Sequence, residues 1–200
     1  VLYADVPLLG TGTLGELAAT DAVVSLLTVH MDDPTGYGRI LRDDRGNVRR
    51  IVEQKDASEA ERQVQEVNTG ILMARYGDLV TWLDSLEAGN AQGELYLTDI
   101  VEMAANEDKP VDAVIAGDPW EVTGVNDRLA LARLERVYQE RQAEALALAG
   151  TTIADPTRLD IRGTLVCGTD VSIDVGCVFE GDVRLGDNVR IGPHCVLRDC

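Results

Sequence analysis

The 200-residue chain carries 35 aspartates and glutamates against 18 lysines and arginines, a formal net charge of −17 at pH 7. A chain this acidic is a poor partner for nucleic acid or an anionic membrane, and an anionic substrate would need a metal ion or local cations to offset the charge. Hydrophobic residues make up 45% of the chain and aromatic residues only 4%, so we expect one or two cores built of Leu, Val, Ile and Ala.

The same totals bear on the compartment. No apolar run approaches the ~20 residues of a membrane span, and no basic, apolar leader opens the chain. The four cysteines form no C-x-x-C pair and imply no disulfide framework, which favours the cytoplasm. Because the chain begins with Val1 and stops at Cys200 inside a repeat, we expect it to be part of a longer protein.

Residues 1–125 alternate between strand and helix signals, an order typical of an α/β layer fold. Apolar, β-branched stretches predict strands at 1–4, 22–31, 39–42, 48–53, 66–75 and 111–115, with a hairpin turn at 44–46. Helical spacing predicts helices at 13–19, 79–86 and 97–105.

Residues 126–150 predict one long linker helix. Asn126 can cap its start, with Asp127 in the first turn, and Gly150 is placed to end it. At ~1.5 Å per residue such a helix could span about 35 Å, the length of a strut between domains.

Residues 151–200 contain a six-residue repeat. Every sixth residue from Ile161 is apolar, and so is the residue four places after each. The first series is Ile161, Cys167, Ile173, Phe179, Leu185, Ile191 and Leu197; the second is Leu165, Val171, Cys177, Val183, Val189 and Cys195. A period of six predicts a parallel β-helix whose turn takes three hexads. Three of the cysteines then point inward and pack as apolar residues, whereas Cys200 lies off the register.

Two polar residues near element ends are candidate metal ligands. Asp5 directly follows the first predicted strand, where ligands of open α/β sheets bind, and its carboxylate could hold Mg²⁺. The alternative is an ordinary turn residue before Pro7. Asn126 could be either a helix cap or a second ligand, and the sequence leaves both open.

Further candidates lie in short polar motifs. Gly38 stands in a glycine turn that opens a strand, Glu53 ends a strand, and Asn68 begins one. Carboxylates and amides read sugar hydroxyls because they supply directional acceptors and donors. Thr98 lies where a loop feeds a helix. Taken singly, each has an alternative role as a turn or surface residue.

Together these motifs resemble one enzyme family. The segments Y-x-D-V-P-L, D-D-P-T-G-Y-G-R-I, V-E-x-K-D-A, E-x-N-T-G-I, G-E-x-Y-x-T-D-I and G-V-N-x-R follow one another between residues 3 and 128. Their order and spacing resemble the bifunctional N-acetylglucosamine-1-phosphate uridylyltransferase/glucosamine-1-phosphate N-acetyltransferases of bacteria, and the later helix and hexads fit the same family. The resemblance covers essentially the whole chain.

The resemblance implies fold and domain boundaries. Residues 1–125 would form the C-terminal part of a Rossmann-like nucleotidyltransferase domain, 126–150 the linker helix, and 151–200 the first coils of a left-handed parallel β-helix. The family is a cytoplasmic homotrimer. It joins UTP to N-acetylglucosamine 1-phosphate, acetylates glucosamine 1-phosphate from acetyl-CoA, and supplies peptidoglycan and lipopolysaccharide synthesis.

The resemblance also implies site residues. Asp5 and Asn126 match the family's Mg²⁺ ligands, and Tyr3 and Ala4 match the segment that lines the nucleotide. Ala4 departs from the glycine common there, so its methyl group could crowd the ligand.

Four further positions match residues near the sugar nucleotide, with Glu53 and Asn68 on the sugar itself. They are Gly38, Glu53, Asn68 and Thr98.

The family's glycine-rich loop should lie upstream of Val1 and its acetyltransferase residues beyond Cys200, so we expect the chain alone to be inactive. Three alternatives remain: a sensor that kept the sugar pocket, a trimerisation module, and an enzyme of another sugar phosphate.

Overall fold

A computed structural model describes all residues, 1–200, and the chain divides into two compact units, Val1–Val125 and Asn126–Cys200. The first unit is an α/β structure, as its alternating strand and helix signals predict. The second combines one long helix with short parallel strands. No helix is both long and apolar enough to cross a membrane.

The first unit is organised around a five-stranded sheet of order β3-β2-β4-β1-β5. Only β5 runs parallel to its neighbour; the other pairs are antiparallel. The strands are β1 Val24–His30, β2 Arg39–Arg42, β3 Val48–Val52, β4 Glu66–Ala74 and β5 Val111–Ile115. The helices are α1 Thr11–Ala18, α2 Glu59–Arg62, α3 Tyr76–Leu83 and α4 Asp99–Asn106, and a 3-10 turn covers Pro119–Val122.

Both faces of the sheet are apolar because successive side chains of a strand point to opposite sides. In β4, Leu72 packs with Trp82 of α3 and Ile100 of α4, whereas the adjacent Ile71 packs with Leu17 of α1. Helices therefore cover both faces of the sheet, and the core is formed by apolar residues. The polar residues near the strand ends are not part of this core.

Three expectations for the first unit were wrong in detail. Residues 1–4 form no strand: only Val1 exchanges backbone hydrogen bonds with Leu72, at 2.7 and 3.3 Å, and one pair does not make a ladder. The third helix is Tyr76–Leu83 rather than 79–86, because the chain turns helical directly after the extended Arg75. The short helix α2, which starts with a capping box of Ser58 and Glu61, was not predicted.

The second unit opens with α5, Arg128–Leu148. Of the two roles left open for Asn126, that of the helix cap is wrong. Asp127 has the extended backbone of a cap, and its Oδ1 accepts the Ala130 N–H at 2.7 Å. The predicted end is confirmed: Gly150 has a φ of +105°, and the N–H of the next residue, Thr151, donates to the carbonyl of Leu146 at 3.0 Å.

The rest of the second unit forms two three-stranded parallel sheets, of order β10-β8-β6 and β11-β9-β7. Their strands are β6 Thr152–Ile153, β7 Leu159–Cys167, β8 Ser172–Ile173, β9 Cys177–Leu185, β10 Arg190–Ile191 and β11 Val196–Arg198, with a 3-10 turn at Pro156–Arg158. Ile161 pairs with Phe179, and Phe179 with Leu197, steps of 18 residues. Three hexads per turn is therefore confirmed.

Both apolar hexad series face inward. The core of the coils contains Ile161, Val171, Ile173, Cys177 and Phe179, and the remaining members of the series pack against it. All four cysteines are free thiols, and Cys200 is exposed as expected.

Helix α5 lies along the first coil and does not extend from it as a free strut. Ala143 is fully buried in the coil core, and Gln139 is bonded to β7 at both ends of its amide. Its Oε1 accepts the Ile161 N–H at 2.7 Å and its Nε2 donates to the Ile161 carbonyl at 2.9 Å. By contrast, the apolar side chains of Leu131 and Tyr138 on the same helix are about half exposed.

Candidate functional site

Four residues from four separate segments meet beside the carboxyl end of β3. Gly38 precedes β2, Glu53 follows β3, Asn68 lies in β4, and Thr98 precedes α4. The Gly38 carbonyl accepts the Asn68 N–H at 2.8 Å, and the Thr98 hydroxyl donates to Glu53 Oε1 at 3.1 Å. The sequence singled out these residues one by one, and the fold brings them together.

Gly38 lies so close to Glu53 that no side chain fits between them. A Cβ built on Gly38 would be 2.9 Å from Ile51 Cγ2 and 3.2 Å from Glu53 Oε1. The first contact would force Ile51 to shift, and the second would press on the carboxylate of Glu53. Glycine at this position therefore lets the backbone approach the carboxylate closely, which leaves Glu53 held between Gly38 and Thr98.

Asn68, one of these four residues, and Tyr3 both contact Gly70. The Asn68 Oδ1 accepts the Gly70 N–H at 3.1 Å, while its side-chain nitrogen donates to no protein group and is available to a ligand. The Tyr3 ring lies against Gly70: a Cβ built there would be 2.3 Å from its Cε2, and Gly70 has a φ of +80°. Gly70 therefore both permits the irregularity of β4, whose register against β1 shifts between Asn68 and Leu72, and makes room for the aromatic ring.

Asp5 lies on the surface with a free carboxylate. Its backbone carbonyl accepts the Val125 N–H at 2.8 Å, and a Cβ built on Gly124 would be 3.4 Å from its Oδ2. The carboxylate itself has no hydrogen bond or ion pair with the protein, and the neighbouring Ala4 is also exposed. The end of the first unit is thus fixed against the backbone of Asp5.

Asn126 is the first residue of the second unit, and its side chain is exposed. Because Asp127 caps α5, the amide of Asn126 is not needed for capping. The structure contains no group of three or more His, Cys, Asp or Glu side chains that could hold a metal ion.

An open, acidic cleft of about 570 Å³ adjoins Glu53. Its walls include the carboxylates of Asp56, Asp99 and Glu102 and the phenol of Tyr96. Burial raises the pKa of Asp99, and the negative charges of Glu102 and Asp56 raise it further. The field at Asp99 is therefore negative, while Arg50 adds a positive charge elsewhere in the lining of the cleft.

Arg39 and Gln54 belong to the site's surroundings but were not predicted to have a role. Arg39 is buried between its strand partners Val52 and Val67 and donates a hydrogen bond to Gln54 Oε1 at 2.7 Å. A charged residue that pairs with apolar residues in a central strand indicates a functional role. This pairing can be recognised only once the register of the strands is known.

Comparison with known proteins agrees with both units. Residues 165–199 match the family described as bacterial transferase hexapeptide (six repeats), which confirms the predicted repeat. The chain is 57% identical over 200 residues, 99% of its length, to the bifunctional protein GlmU of Burkholderia mallei (strain SAVP1). It is 59% identical over 201 residues to the bifunctional protein GlmU of Azoarcus sp. (strain BH72).

Among solved structures, a putative glucose-1-phosphate thymidylyltransferase from Bacillus anthracis, crystallised with sucrose, matches 62% of this chain and 46% of its own. Its sequence is 19% identical and the TM-score is 0.43, too low to carry an argument about fold or function.

The likeness to the GlmU proteins extends through both units, because the matches cover 99% and 100% of the chain. The chain spans 44% of the length of these relatives. At this identity over its whole length, the chain belongs to the family of the bifunctional protein GlmU.

Proposed function

We propose that this chain supplies part of a uridylyltransferase site and the first coils of an acetyltransferase domain in a bifunctional enzyme that makes UDP-N-acetylglucosamine. The first activity joins UTP to N-acetylglucosamine 1-phosphate and releases pyrophosphate. The second transfers an acetyl group from acetyl-CoA to glucosamine 1-phosphate. The observation that carries the proposal is the convergence of Gly38, Glu53, Asn68 and Thr98 from distant segments.

These residues have the chemistry to read a sugar. The Glu53 carboxylate accepts hydrogen bonds from hydroxyls, and Thr98 fixes its direction by donating to one oxygen. The free amide nitrogen of Asn68 donates to the sugar or its acetamido group. At Gly38, the lack of a side chain opens the backbone to the ligand. Tyr3 and Ala4 border the nucleotide at the other end.

The reaction is an in-line displacement. An oxygen of the sugar phosphate attacks the α-phosphorus of UTP, a new P–O bond forms, and the bond to pyrophosphate breaks. No covalent enzyme intermediate is needed, so the protein contributes positioning and charge neutralisation. In this scheme Glu53 and Asn68 hold the sugar so that its phosphate points at the nucleotide.

Asp5 and Asn126 would hold Mg²⁺, which when bound offsets phosphate charge. Their donor atoms fit that ion, since a carboxylate and an amide oxygen are hard ligands and Mg²⁺ usually keeps several waters and substrate oxygens. The Asp5 carboxylate is free of protein partners, and Asn126 is released from capping by Asp127. An acidic protein would then bind its anionic substrates through the ion.

The domain assignment follows the same proposal. Residues 1–125 belong to the uridylyltransferase domain, 126–150 to the linker helix and 151–200 to the acetyltransferase β-helix. The complete protein is a cytoplasmic homotrimer that supplies peptidoglycan and lipopolysaccharide synthesis. The 200-residue chain alone catalyses neither reaction, because a triphosphate-binding loop is not among its motifs.

The deciding experiment measures pyrophosphate release by the full-length protein that carries this chain, given UTP, N-acetylglucosamine 1-phosphate and Mg²⁺. We expect release that stops on addition of EDTA, and none from the 200-residue chain alone. Binding of UDP-N-acetylglucosamine without turnover would favour a sensor instead. Faster turnover of another sugar phosphate would correct the substrate, and a protein that neither binds nor reacts would refute the proposal.

A further inference from the structure

Arg39 is a buried cation whose guanidinium hydrogen-bonds to no carboxylate. The residue is 1% exposed, its Nε–H is buried, and that N–H donates to no protein group. Its other nitrogens donate to the Tyr37 carbonyl, to Gln54 Oε1 at 2.7 Å and to the Arg62 carbonyl at 3.5 Å. Burying an unpaired charge is costly, so a residue of this kind needs a reason beyond filling space.

The partners of Arg39 lie on three different segments. Tyr37 belongs to the loop Asp32–Gly38, here called the glycine loop; Gln54 directly follows Glu53; and Arg62 ends α2. The guanidinium has its donors in a fixed fork, so it fixes the directions of its partners as well as their distances. No apolar residue of the same size could tie these segments together.

Gln54 completes the connection. Its Oε1 accepts a hydrogen bond from Arg39 and also, at 3.3 Å, from the N–H of Gly36 in the glycine loop. One oxygen, on the residue next to Glu53, therefore holds the glycine loop from two sides. We call this arrangement of Arg39, Gln54 and Gly36 the loop clamp.

The loop clamp brackets the close approach between Gly38 and Glu53. Gly38 lies between Gly36 and Arg39 in sequence, and a Cβ built on it would be 3.2 Å from Glu53 Oε1. Glu53 precedes Gln54 directly. The clamp therefore fixes both sides of the gap between the glycine backbone and the carboxylate, without its side chains touching the sugar site.

We propose that Arg39 and Gln54 are positioning residues that set the distance between Gly38 and Glu53 and thereby the affinity for the sugar phosphate. This inference rests on the proposed function, since it assigns the sugar to Gly38 and Glu53. A clamp of this kind acts on one substrate only. Its loss weakens recognition of the sugar phosphate and leaves recognition of the nucleotide unchanged.

The test uses the full-length protein with three glutamine variants. Gln54→Met keeps the length of the side chain but removes the acceptor, and Gln54→Glu keeps an oxygen that accepts from both Arg39 and Gly36. Gln63→Met is the matched control, because Gln63 is exposed and its side chain has no bonding partner. KM for each substrate, the dissociation constant of UDP-N-acetylglucosamine, acetyl transfer and Tm are measured for all of them.

For Gln54→Met we expect KM for the sugar phosphate and the dissociation constant to rise about tenfold, which corresponds to about 1.4 kcal/mol, the size of one hydrogen bond to the ligand. KM for UTP and acetyl transfer should stay at the values of Gln63→Met, whereas Tm should fall, because the buried Arg39 guanidinium loses an acceptor. Gln54→Glu should restore sugar KM to within about twofold of wild type. Arg39→Lys, which keeps the charge but lacks the fork, should resemble Gln54→Met if it folds.

Two results would overturn the clamp with the proposed function intact: a Gln54→Met variant in which KM for the sugar phosphate is unchanged, or one in which KM for UTP rises as much as KM for the sugar phosphate. If the wild type binds UDP-N-acetylglucosamine without turnover, the dissociation constant of this ligand replaces KM as the test. An unchanged dissociation constant in Gln54→Met would then overturn the clamp. A wild type that neither binds nor reacts would refute the proposed function, and the clamp would fall with it.

Discussion

Glu66 is a buried acid whose partners keep it ionised. It lies in β4 and is 7% exposed, and Arg42 donates to both of its carboxylate oxygens, at 2.8 and 2.7 Å. Thr28 donates to Oε1 at 2.9 Å. Burial alone would raise the pKa of Glu66, but the hydrogen bonds from Arg42 and Thr28 outweigh it, and the pKa is lowered.

A lowered pKa in the folded state makes this interaction a source of stability that acid removes. The contribution is present above the unfolded pKa of about 4.3 and is lost as the pH falls through the folded value. We expect Glu66→Gln to reduce the free energy of unfolding by about 2 kcal/mol at pH 7, the size of a hydrogen-bonded charge pair that loses its charge. Below about pH 4 the gap to wild type should narrow.

Urea unfolding of the chain between pH 7 and pH 3 measures this difference. Glu59→Gln is the control, since Glu59 is an exposed acid in no ion pair and should change stability by less than about 0.5 kcal/mol. A Glu66→Gln deficit that stays constant down to pH 3 would contradict the assignment of the charge to Glu66.

The sequence could not reveal such pairs. Glu66 lies two residues before Asn68 in a motif, and Arg39 directly follows Gly38. Neither sequence position indicates that the charged side chain is buried. Which side chains meet across a sheet depends on register, and the bulge between Leu26 and Thr28 shifts the register of β1 against β4. Candidate site residues could be predicted from motifs. The buried charged residues that pack around them could be identified only from the structure.

At the scale of elements, the sequence predicts the strands and coils that have long apolar patterns, but it does not predict where each element begins and ends. The strand at Val111–Ile115 and the hexads follow from pattern alone. The start of α5 was misassigned because Asn126 and Asp127 are equally good caps, and only backbone conformation separates them. The buried face of α5 centres on Gln139, a polar residue whose partner Ile161 lies 22 positions away.

The coils of the second unit depend on a glycine that stacks on another glycine. Gly163 in β7 pairs with Gly181 in β9 and has a φ of +146°. A Cβ built on Gly163 would be 2.2 Å from the Gly181 carbonyl oxygen and 2.8 Å from its carbonyl carbon. Backbone atoms cannot swing aside as a side chain can, so adjacent coils would have to separate.

We therefore expect Gly163→Ala to lower the free energy of unfolding by about 3 kcal/mol, the sum of a strained backbone and an overpacked contact. Gly186→Ala is the matched control in the same unit, because nothing lies within 4 Å of a Cβ at that glycine. Its stability should stay within about 0.5 kcal/mol of wild type. Urea unfolding followed by circular dichroism compares the two, and equal stabilities would show that the coils adapt.

At the scale of the whole molecule, each unit has a core of its own. The two clusters that flank the five-stranded sheet draw only on residues 1–125, and the cluster inside the coils draws only on residues 126–200. Hydrophobic burial is the main stabilising term of a domain. A surface change in one unit should therefore leave the packing of the other intact.

Asp5 offers the sharpest test of this separation. Its carboxylate bonds to no protein group, and its backbone carbonyl, which accepts the Val125 N–H at 2.8 Å, is retained in an alanine variant. Asp5→Ala in the full-length protein should therefore fold normally. If Asp5 holds Mg²⁺, uridylyl transfer should fall by about a hundredfold or more, a loss typical of removing a group that stabilises charge in the transition state.

Acetyl transfer by the same preparation should stay within about twofold of wild type, since Asp5 lies in the first unit and the hexads lie in the second. Asp21→Ala, a change to another exposed acid of the first unit, controls for the loss of one negative charge. Both activities and Tm are measured side by side. Loss of uridylyl transfer alone would support Asp5 as a Mg²⁺ ligand in that reaction. Equal loss of both activities would indicate misfolding or a wrong assignment of the site.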